Sequence, residues 1–120
     1  MGDIVAVSDV DRRHTARARK AFGDRPDEVQ DYREVLQRDD VDVVINGTPA
    51  HWHTAINVAA CRAGKDVDAE KPLTLTVDEG KQLLSGVDQT KRVVQVGTHQ
   101  RSMAHFRKAV ELVRNGRVGK

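Results

Sequence analysis

The sequence predicts an α/β fold in which helices cover a parallel β-sheet. Short runs of β-branched residues alternate with longer segments of helical periodicity, and the turns between them are short. Only 3% of the 120 residues are aromatic while 38% are hydrophobic, so the core must consist of Val, Ile, Leu and Ala. Buried parallel sheets have this composition. The pattern favours one domain of strand–helix–strand units with right-handed crossovers.

Strands are predicted where β-branched residues cluster before a turn. The clearest strand covers residues 41–45, which precede an Asn-Gly-Thr-Pro turn. The other predicted strands cover residues 4–7, 29–31 (a short edge strand), 66–69 and 93–96.

Helices are predicted between these strands from apolar spacing and from end signals. Thr76 and Glu79 form a capping-box pattern before a helix that runs towards Thr90. Apolar residues at i, i+3, i+4 and i+7 predict a helix over residues 53–63, which Gly64 ends. The remaining helices are predicted over residues 12–22, 32–37 and 104–115.

Charge and composition restrict the classes of function. Twenty basic and eighteen acidic residues leave a net charge of +2, which does not indicate a nucleic-acid or membrane partner. The single cysteine, Cys61, excludes an intrachain disulfide and favours a reducing compartment. No apolar run approaches the length of a membrane span, and no signal-peptide pattern opens the chain. We therefore expect a cytoplasmic protein, with a periplasmic location left open because a leader could precede this sequence.

Asp9 follows the first predicted strand, where a dinucleotide-binding sheet holds the adenosine ribose. A carboxylate at this position accepts two hydrogen bonds from a vicinal diol. The glycine-rich phosphate loop, which would begin about 20 residues upstream, does not fit before Asp9, and G-x-G-x-x-G occurs nowhere else in the chain. The alternative is that Asp9 caps the helix that begins near Arg12.

The segment from Thr48 to His53 follows the clearest strand, at the carboxyl edge where open α/β sheets bind ligands. Thr48 offers a hydroxyl group, Pro49 shapes the turn, and His51 or His53 would face the crevice. A metal site at the two histidines is one alternative, but residues two apart on a helix point away from each other and no third ligand is near in sequence. The other alternative is a structural turn with a packed Trp52.

Glu70, Lys71 and Pro72 end the strand at 66–69. A partly desolvated lysine at a strand edge can hydrogen-bond a substrate hydroxyl and serve as an acid or a base. Pro72 stiffens the backbone of that lysine. On its own, such a tripeptide is more often a surface turn.

Gly97 ends the last predicted strand and permits close approach of the backbone to a ligand. Gln100 and Arg101 follow it and are long enough to reach an amide or a carboxylate. The basic helix beyond carries no interleaved aromatic residues, so it indicates a solvated face rather than nucleic-acid binding.

Together these segments resemble the Gfo/Idh/MocA oxidoreductases, a family named after glucose–fructose oxidoreductase and inositol dehydrogenase. The similarity runs in order over essentially the whole chain. Its most specific part is the Glu-Lys-Pro segment that follows an Ala-Gly-Lys turn. The segments that carry the resemblance are residues 5–11, 42–45, 48–53, 63–65, 70–73, 96–101 and 112–120.

The resemblance implies a Rossmann-like domain and hydride transfer between NAD(P) and a sugar or cyclitol hydroxyl. Lys71 would position or deprotonate that hydroxyl. An acid at Asp9 favours NAD, although Arg12 and Arg13 could tolerate the 2′-phosphate of NADP. The partners implied are a small sugar or polyol substrate and further copies of the parent protein, with no metal. The cofactor-binding residues implied are Asp9, Thr48, Pro49, His51, His53, Glu70, Lys71, Gln100 and Arg101.

Relative to that family, the sequence starts at the second strand and lacks the first strand, the glycine-rich loop and the C-terminal α/β substrate domain. We therefore expect residues 1–120 to be a partial Rossmann domain that is inactive alone and binds NAD weakly or not at all. In a sheet ordered 3-2-1-4-5-6 the absent strand is central, so the strands at 4–7 and 41–45 would lie about 10 Å apart or close up. The alternative is a non-catalytic module that associates through its incomplete sheet.

Overall fold

A computed structural model describes residues 2–119 of the chain. Within this range the strands form two separate sheets, and every strand pair is parallel. The strands are β1 (Ala6–Ser8) paired with β2 (Asp27–Val29), and β3 (Val43–Asn46) paired with β4 (Asp66–Ala69), which pairs with β5 (Val94–Val96). Parallel strands alternating with helices confirm the predicted α/β class.

Helices connect successive strands throughout the described range. They are α1 (Arg12–Ala21), α2 (Tyr32–Leu36), α3 (Ala50–Arg62), α4 (Val77–Thr90) and α5 (Ala104–Arg114), with a 3₁₀ helix at His99–Ser102. The predicted capping box is confirmed, because the Thr76 hydroxyl accepts from the Glu79 nitrogen while the Glu79 carboxylate accepts from the Thr76 nitrogen.

Three local predictions differ from the structure. Asp9 does not cap α1: Asp11 does, by accepting a hydrogen bond from the Arg13 nitrogen at 2.9 Å, and Asp9 lies too early to reach it. The helix α3 begins at Ala50 rather than residue 53, directly after Pro49, which occupies the N-cap position without a side-chain cap. Trp52 is 43% exposed, so the alternative of a packed tryptophan is also wrong.

Two strands and the 3₁₀ helix also differ from the sequence-based predictions. The edge strand predicted at 29–31 lies at Asp27–Val29, and the first strand is Ala6–Ser8 rather than residues 4–7. Their pairing sets these bounds, since Ala6 lies opposite Asp27 and Ser8 opposite Val29. The 3₁₀ helix was not predicted.

The core lies between the three-stranded sheet and the helices that cover one of its faces. Ala60 and Cys61 of α3 pack against Val67 and Ala69 of β4, and Leu36 of α2 completes this buried cluster. Helix α4 packs against α3 in the same layer. The core is therefore built from small and branched aliphatic residues, as the composition predicts.

The opposite face of the three-stranded sheet is not covered by any element within residues 2–119. Ile45, Asp68 and Gln95 are cross-strand neighbours on this face, and Ile45 is 71% exposed. In addition, β1 and β3 are not hydrogen-bonded to each other, so each has one edge without a strand partner in the described part of the chain.

Two further results limit the sites that the fold can offer. No helix among the residues described here is long and apolar enough to cross a membrane. In the same part of the chain, no three His, Cys, Asp or Glu side chains lie close enough together to hold a metal ion.

Candidate functional site

A cavity of about 170 Å³ lies at the carboxyl ends of the three-stranded sheet. Parallel sheets of this kind bind ligands at this edge, because the loops that follow the strands converge there. The cavity is smaller than the 300–1,000 Å³ typical of small-molecule sites, so it fits one ring of a dinucleotide rather than the whole molecule. Its lining residues are Ile45, Asn46, Gly47, Asp68, Ala69, Glu70, Gly97 and His99.

Glu70 stands at the centre of this edge. Its backbone nitrogen donates to the Asn46 carbonyl oxygen at 2.9 Å, which continues the pairing of β3 and β4. Its carboxylate accepts a hydrogen bond from the Lys71 nitrogen at 2.6 Å and contacts the His99 Nε2 at 2.9 Å. The pKa of Glu70 lies below its ordinary value. The main cause is the hydrogen bond from the Lys71 amide, and the His99 ring contributes next among the neighbouring groups. Glu70 is therefore a fixed, ionised carboxylate at the cavity wall.

Lys71 is exposed beside this carboxylate, and the peptide that carries it is fastened on both sides. The Lys71 backbone nitrogen donates to the Glu70 carboxylate. The carbonyl oxygen of the following residue, Pro72, lies 2.6 Å from the His53 Nδ1. The ammonium group is therefore free to meet a ligand, while the backbone beneath it is held in place.

His53 lies inside the protein rather than in the open crevice, with only 1% of its surface exposed. Its Nε2 is 2.7 Å from the Thr48 carbonyl oxygen, and its Nδ1 contacts Pro72. Carbonyl oxygens only accept hydrogen bonds, so a neutral ring donates to one of them and a protonated ring to both. A protonated ring therefore joins the Thr48 turn to the Lys71 turn by two hydrogen bonds, whereas a neutral ring bonds one turn and only packs against the other.

The Thr48 turn is held by a buried amide pair that the sequence analysis missed. The Asn46 Oδ1 accepts from the Thr48 hydroxyl at 2.7 Å, and its Nδ2 donates to the Asn57 Oδ1 at 2.7 Å. Asn46 is 2% exposed and Asn57 is fully buried. The only sequence signal was an Asn-Gly pair after a strand, which was interpreted as a turn and not as a support for Thr48.

Asp9 lies at the end of β1, and none of its hydrogen bonds reaches the cavity residues. Its Oδ1 accepts from the Asp11 nitrogen at 2.8 Å, and its Oδ2 lies 3.1 Å from the His14 Nδ1. A ribose diol would therefore have to take the place of His14. The nearby Arg13 pairs with Asp11 at 2.6 Å, so its guanidinium is already engaged.

A second cavity, of about 420 Å³, is lined by residues of α1, α2 and the end of β2, and Asp9 is not among them. Val29 lines it, and the Val29 carbonyl oxygen accepts a hydrogen bond from the Asp9 nitrogen at 3.3 Å. Arg12 also lines this cavity, and its side chain donates to Gln30 at 3.0 Å.

The remaining predicted residues lie at the surface around these segments. Pro49 caps α3, and His51 stands in the first turn of that helix beside Trp52, with 6.1 Å between the ring centroids. Gln100 and Arg101 are exposed in the 3₁₀ helix that follows β5. The structure gives none of these four residues a side-chain hydrogen bond to the cavity residues.

The family profile named Gfo/Idh/MocA, described as an oxidoreductase family with an NAD-binding Rossmann fold, matches residues 2–98. An uncharacterized oxidoreductase of Bacillus subtilis, YrbE, is 33% identical over 89 residues, which is 74% of this chain and 26% of that protein. A glycosyl hydrolase family 109 protein of Shewanella (strain ANA-3) is 43% identical over 61 residues, which is 51% of this chain and 13% of that protein.

Solved structures with the same fold cover nearly the whole chain. An oxidoreductase from Thermotoga maritima has a TM-score of 0.88 and 30% identity, covering 98% of this chain and 36% of its own. The 3-ketoreductase KijD10 from Actinomadura kijaniata, in complex with NADP, has a TM-score of 0.87 and 27% identity, covering 98% and 37%. A myo-inositol 2-dehydrogenase from Lactobacillus plantarum has a TM-score of 0.86 and 25% identity, covering 97% and 34%. The chain thus spans about a third of the length of these proteins.

Proposed function

The chain belongs to the Gfo/Idh/MocA oxidoreductase family, and we propose that its residues take part in hydride transfer between NAD(P) and a hydroxyl of a sugar or a cyclitol. The observation that carries the proposal is the placement of Lys71. It is exposed at the carboxyl edge of the sheet, on a segment whose Lys71 nitrogen donates to Glu70 and whose Pro72 carbonyl oxygen contacts His53. The inositol dehydrogenase and the 3-ketoreductase among the similar structures support this class of substrate.

The residues at the sheet edge have the properties that a dinucleotide needs. Asp9 offers a carboxylate for a ribose diol, and the small cavity beside Glu70 has room for one ring. Gly47 and Gly97 leave this edge open to a flat ligand, because neither puts a side chain into the cavity. A bound nicotinamide would supply the hydride acceptor or donor. The choice of NAD over NADP follows the acid at Asp9, since a carboxylate repels a 2′-phosphate.

Lys71 has the chemistry of the acid or base in this reaction. Oxidation of a hydroxyl releases a proton from oxygen as the hydride leaves carbon, and an amine at hydrogen-bond distance can take that proton. The ionised carboxylate of Glu70 keeps a compensating negative charge beside the ammonium. The chain thus holds the lysine, its counter-ion and the backbone support of both.

Cofactor binding is tested by titrating NAD into the ¹⁵N-labelled chain and following amide shifts by NMR. We expect weak binding, with a Kd of about 1 mM or above (about 4 kcal/mol or less), and shifts confined to the carboxyl edge. Asp9→Asn should weaken binding of NAD further, while Asp88→Asn, on the exposed side of α4, should leave it unchanged. The absence of saturable shifts up to about 10 mM NAD would contradict the proposal.

The role of Lys71 is tested in an active enzyme that contains these residues. Lys71→Met is expected to lower kcat/KM by about 10²- to 10⁴-fold, the usual contribution of a general acid or base. Lys81→Met is the matched control, because Lys81 is an exposed lysine paired only with Asp78 on α4. If the Lys71→Met variant keeps the kcat/KM of the wild type, Lys71 is not the acid or base of the reaction.

A second candidate function is cleavage of a glycoside, which the Shewanella relatives favour. They share 43% identity over 61 residues with this chain. In that case the substrate would carry a glycosidic bond, and the released sugar would be the product. Assaying one sugar both as the free alcohol and as its glycoside separates the two candidates.

The third candidate is an interaction module without catalysis. Within residues 2–119, β1 and β3 each have an edge without a strand partner, and Ile45 is exposed on the uncovered sheet face. Both features favour this candidate, because open strand edges attract further strands. Analytical ultracentrifugation tests it directly. A monomer over the accessible range of concentrations would count against this candidate.

A further inference from the structure

Glu70 uses the two oxygens of its carboxylate to join two parts of the chain. Its Oε1 accepts a hydrogen bond from the Lys71 nitrogen at 2.6 Å, and its Oε2 lies 2.9 Å from the His99 Nε2. A carboxylate with one partner on each oxygen cannot rotate without breaking one of these contacts. The orientation of the peptide that carries Lys71 is therefore linked to the His99 ring.

His99 begins the 3₁₀ helix that follows β5, and β5 pairs with β4, the strand that ends just before Glu70. The Gly97 nitrogen donates to the Ala69 carbonyl oxygen at 2.8 Å, and the His99 nitrogen donates to the Gly97 carbonyl oxygen at 3.0 Å. Gly97 lies beneath the pair, because a Cβ built there would be 3.5 Å from both the Glu70 Oε1 and the His99 Nε2. The contact therefore spans two adjacent strand ends across a glycine.

We propose that His99 is a positioning residue that acts on Lys71 through Glu70; this rests on the role proposed above for Lys71. A protonated His99 ring both donates to the Glu70 Oε2 and attracts its charge, which keeps the other oxygen on the Lys71 amide. When the ring loses its proton, the attraction falls to that of a neutral hydrogen bond and the carboxylate is held less tightly. The hold on the Lys71 peptide thus depends on the charge of His99.

The charged groups around this pair come from β4 and from the segments that follow β4 and β5. Among the residues that line the cavity, Asp68 and Glu70 are acidic and His99 is the basic group that faces them. The Lys71 ammonium adds a second positive charge that attracts Glu70. β3 contributes no charged side chain to the cavity. Within this lining, His99 is thus the one imidazole side chain, and its contact with Glu70 is what the test changes.

The test follows the Lys71 backbone amide by NMR in the ¹⁵N-labelled chain without cofactor. The pH is lowered from about 8 to about 5, the range in which histidines titrate. We expect the Lys71 amide to shift with an inflection that coincides with that of the His99 ring, and we expect His99→Ala to abolish it. His105→Ala is the control, because that ring lies on α5 against Phe106, with 4.7 Å between the centroids, and should leave the inflection in place.

The variant His99→Gln separates the hydrogen bond from the charge. Glutamine keeps an N–H donor but does not titrate. We expect the inflection to disappear while the Lys71 amide at about pH 8 stays closer to its wild-type position than it does in His99→Ala. A wild-type Lys71 amide without an inflection in the histidine range, or one that persists in His99→Ala, would overturn the proposal.

The same sample separates this proposal from that of cofactor binding. If the His99 inflection is present and added NAD produces no shifts, the positioning contact stands and the binding proposal fails. If NAD produces shifts at the sheet edge but the Lys71 amide shows no inflection with the His99 ring, the positioning proposal fails and the binding proposal stands.

Discussion

The His53 ring contacts the Pro72 carbonyl oxygen through Nδ1 at 2.6 Å, although the two residues are 19 positions apart in sequence. Its other nitrogen lies 2.7 Å from the Thr48 carbonyl oxygen. One buried side chain therefore fastens together two loops at the carboxyl edge of the sheet. The loop that carries Lys71 takes its position from this contact and from Glu70.

Replacement of His53 by leucine is expected to destabilise the fold by about 1–3 kcal/mol. Leucine has no donor, so a carbonyl oxygen that accepts from the buried ring loses its partner, and such a loss costs about 1–3 kcal/mol. Urea unfolding measures the change. His51→Leu is the control, because His51 is exposed in the same helical turn, and its effect should stay within about 0.5 kcal/mol. Equal urea midpoints for His53→Leu and the wild type would show that the hydrogen bonds of the ring contribute no net stability.

The Asn46–Asn57 pair is expected to show a coupling energy of about 1 kcal/mol in a double-mutant cycle. Both side chains are buried and joined by a 2.7 Å hydrogen bond, so the second alanine substitution should cost less than the first. The cycle is measured by urea unfolding of the two single variants and the double variant. Strict additivity would show that the hydrogen bond contributes no net stability.

The pairing of Arg38 with Asp40 is expected to make the fold less stable in acid. The guanidinium, 2.7 Å away, holds the pKa of Asp40 below its ordinary value. Because the folded-state pKa is the lower one, this stabilisation is complete above the ordinary carboxyl pKa and is lost as the pH falls through the folded-state pKa.

The measurement is the melting temperature between about pH 6 and about pH 2. Arg38→Met should lower the melting temperature near pH 6 and reduce its dependence on acid. Arg17→Met, at an exposed position of α1, should reproduce the wild-type curve. An unchanged acid dependence in Arg38→Met would contradict the assignment.

Thr76→Ala is expected to cost about 1 kcal/mol, within a range of about 0.5–2 kcal/mol for the loss of a helix cap. The Thr76 hydroxyl accepts from the Glu79 nitrogen at 3.2 Å, and alanine leaves that donor to water. Thr98→Ala is a matched control, because Thr98 precedes the 3₁₀ helix without a side-chain cap. Chemical unfolding that places both variants at the wild-type midpoint would show that the capping box is not stabilising.

Features that depend on neighbours in sequence could be predicted without the structure. The capping box of Thr76 and Glu79 needs only a hydroxyl and a carboxylate three residues apart, and β4 was predicted with the bounds Asp66–Ala69 that the structure has. The Glu-Lys-Pro segment was recognised because its residues are contiguous. In each case the signal and the feature share a few adjacent residues.

Features that depend on distant partners could not be predicted. His53 was expected to face the cofactor crevice, and the structure shows it inside, held by carbonyl oxygens of two loops. Asn46 and His99 were not among the predicted site residues, because their partners Asn57 and Glu70 are 11 and 29 positions away. No local pattern distinguishes these side chains from surface residues.

The sequence by itself determined the α/β class, the family and the segment that carries Lys71, because periodicity and contiguous motifs record them directly. Only the tertiary structure decided how that segment is held. Parallel pairing brings the ends of β3, β4 and β5 to one edge, where Asn46, Glu70 and His99 meet around a single cavity. Hydrogen bonds across that edge act over a few ångströms in space, whatever the separation along the chain.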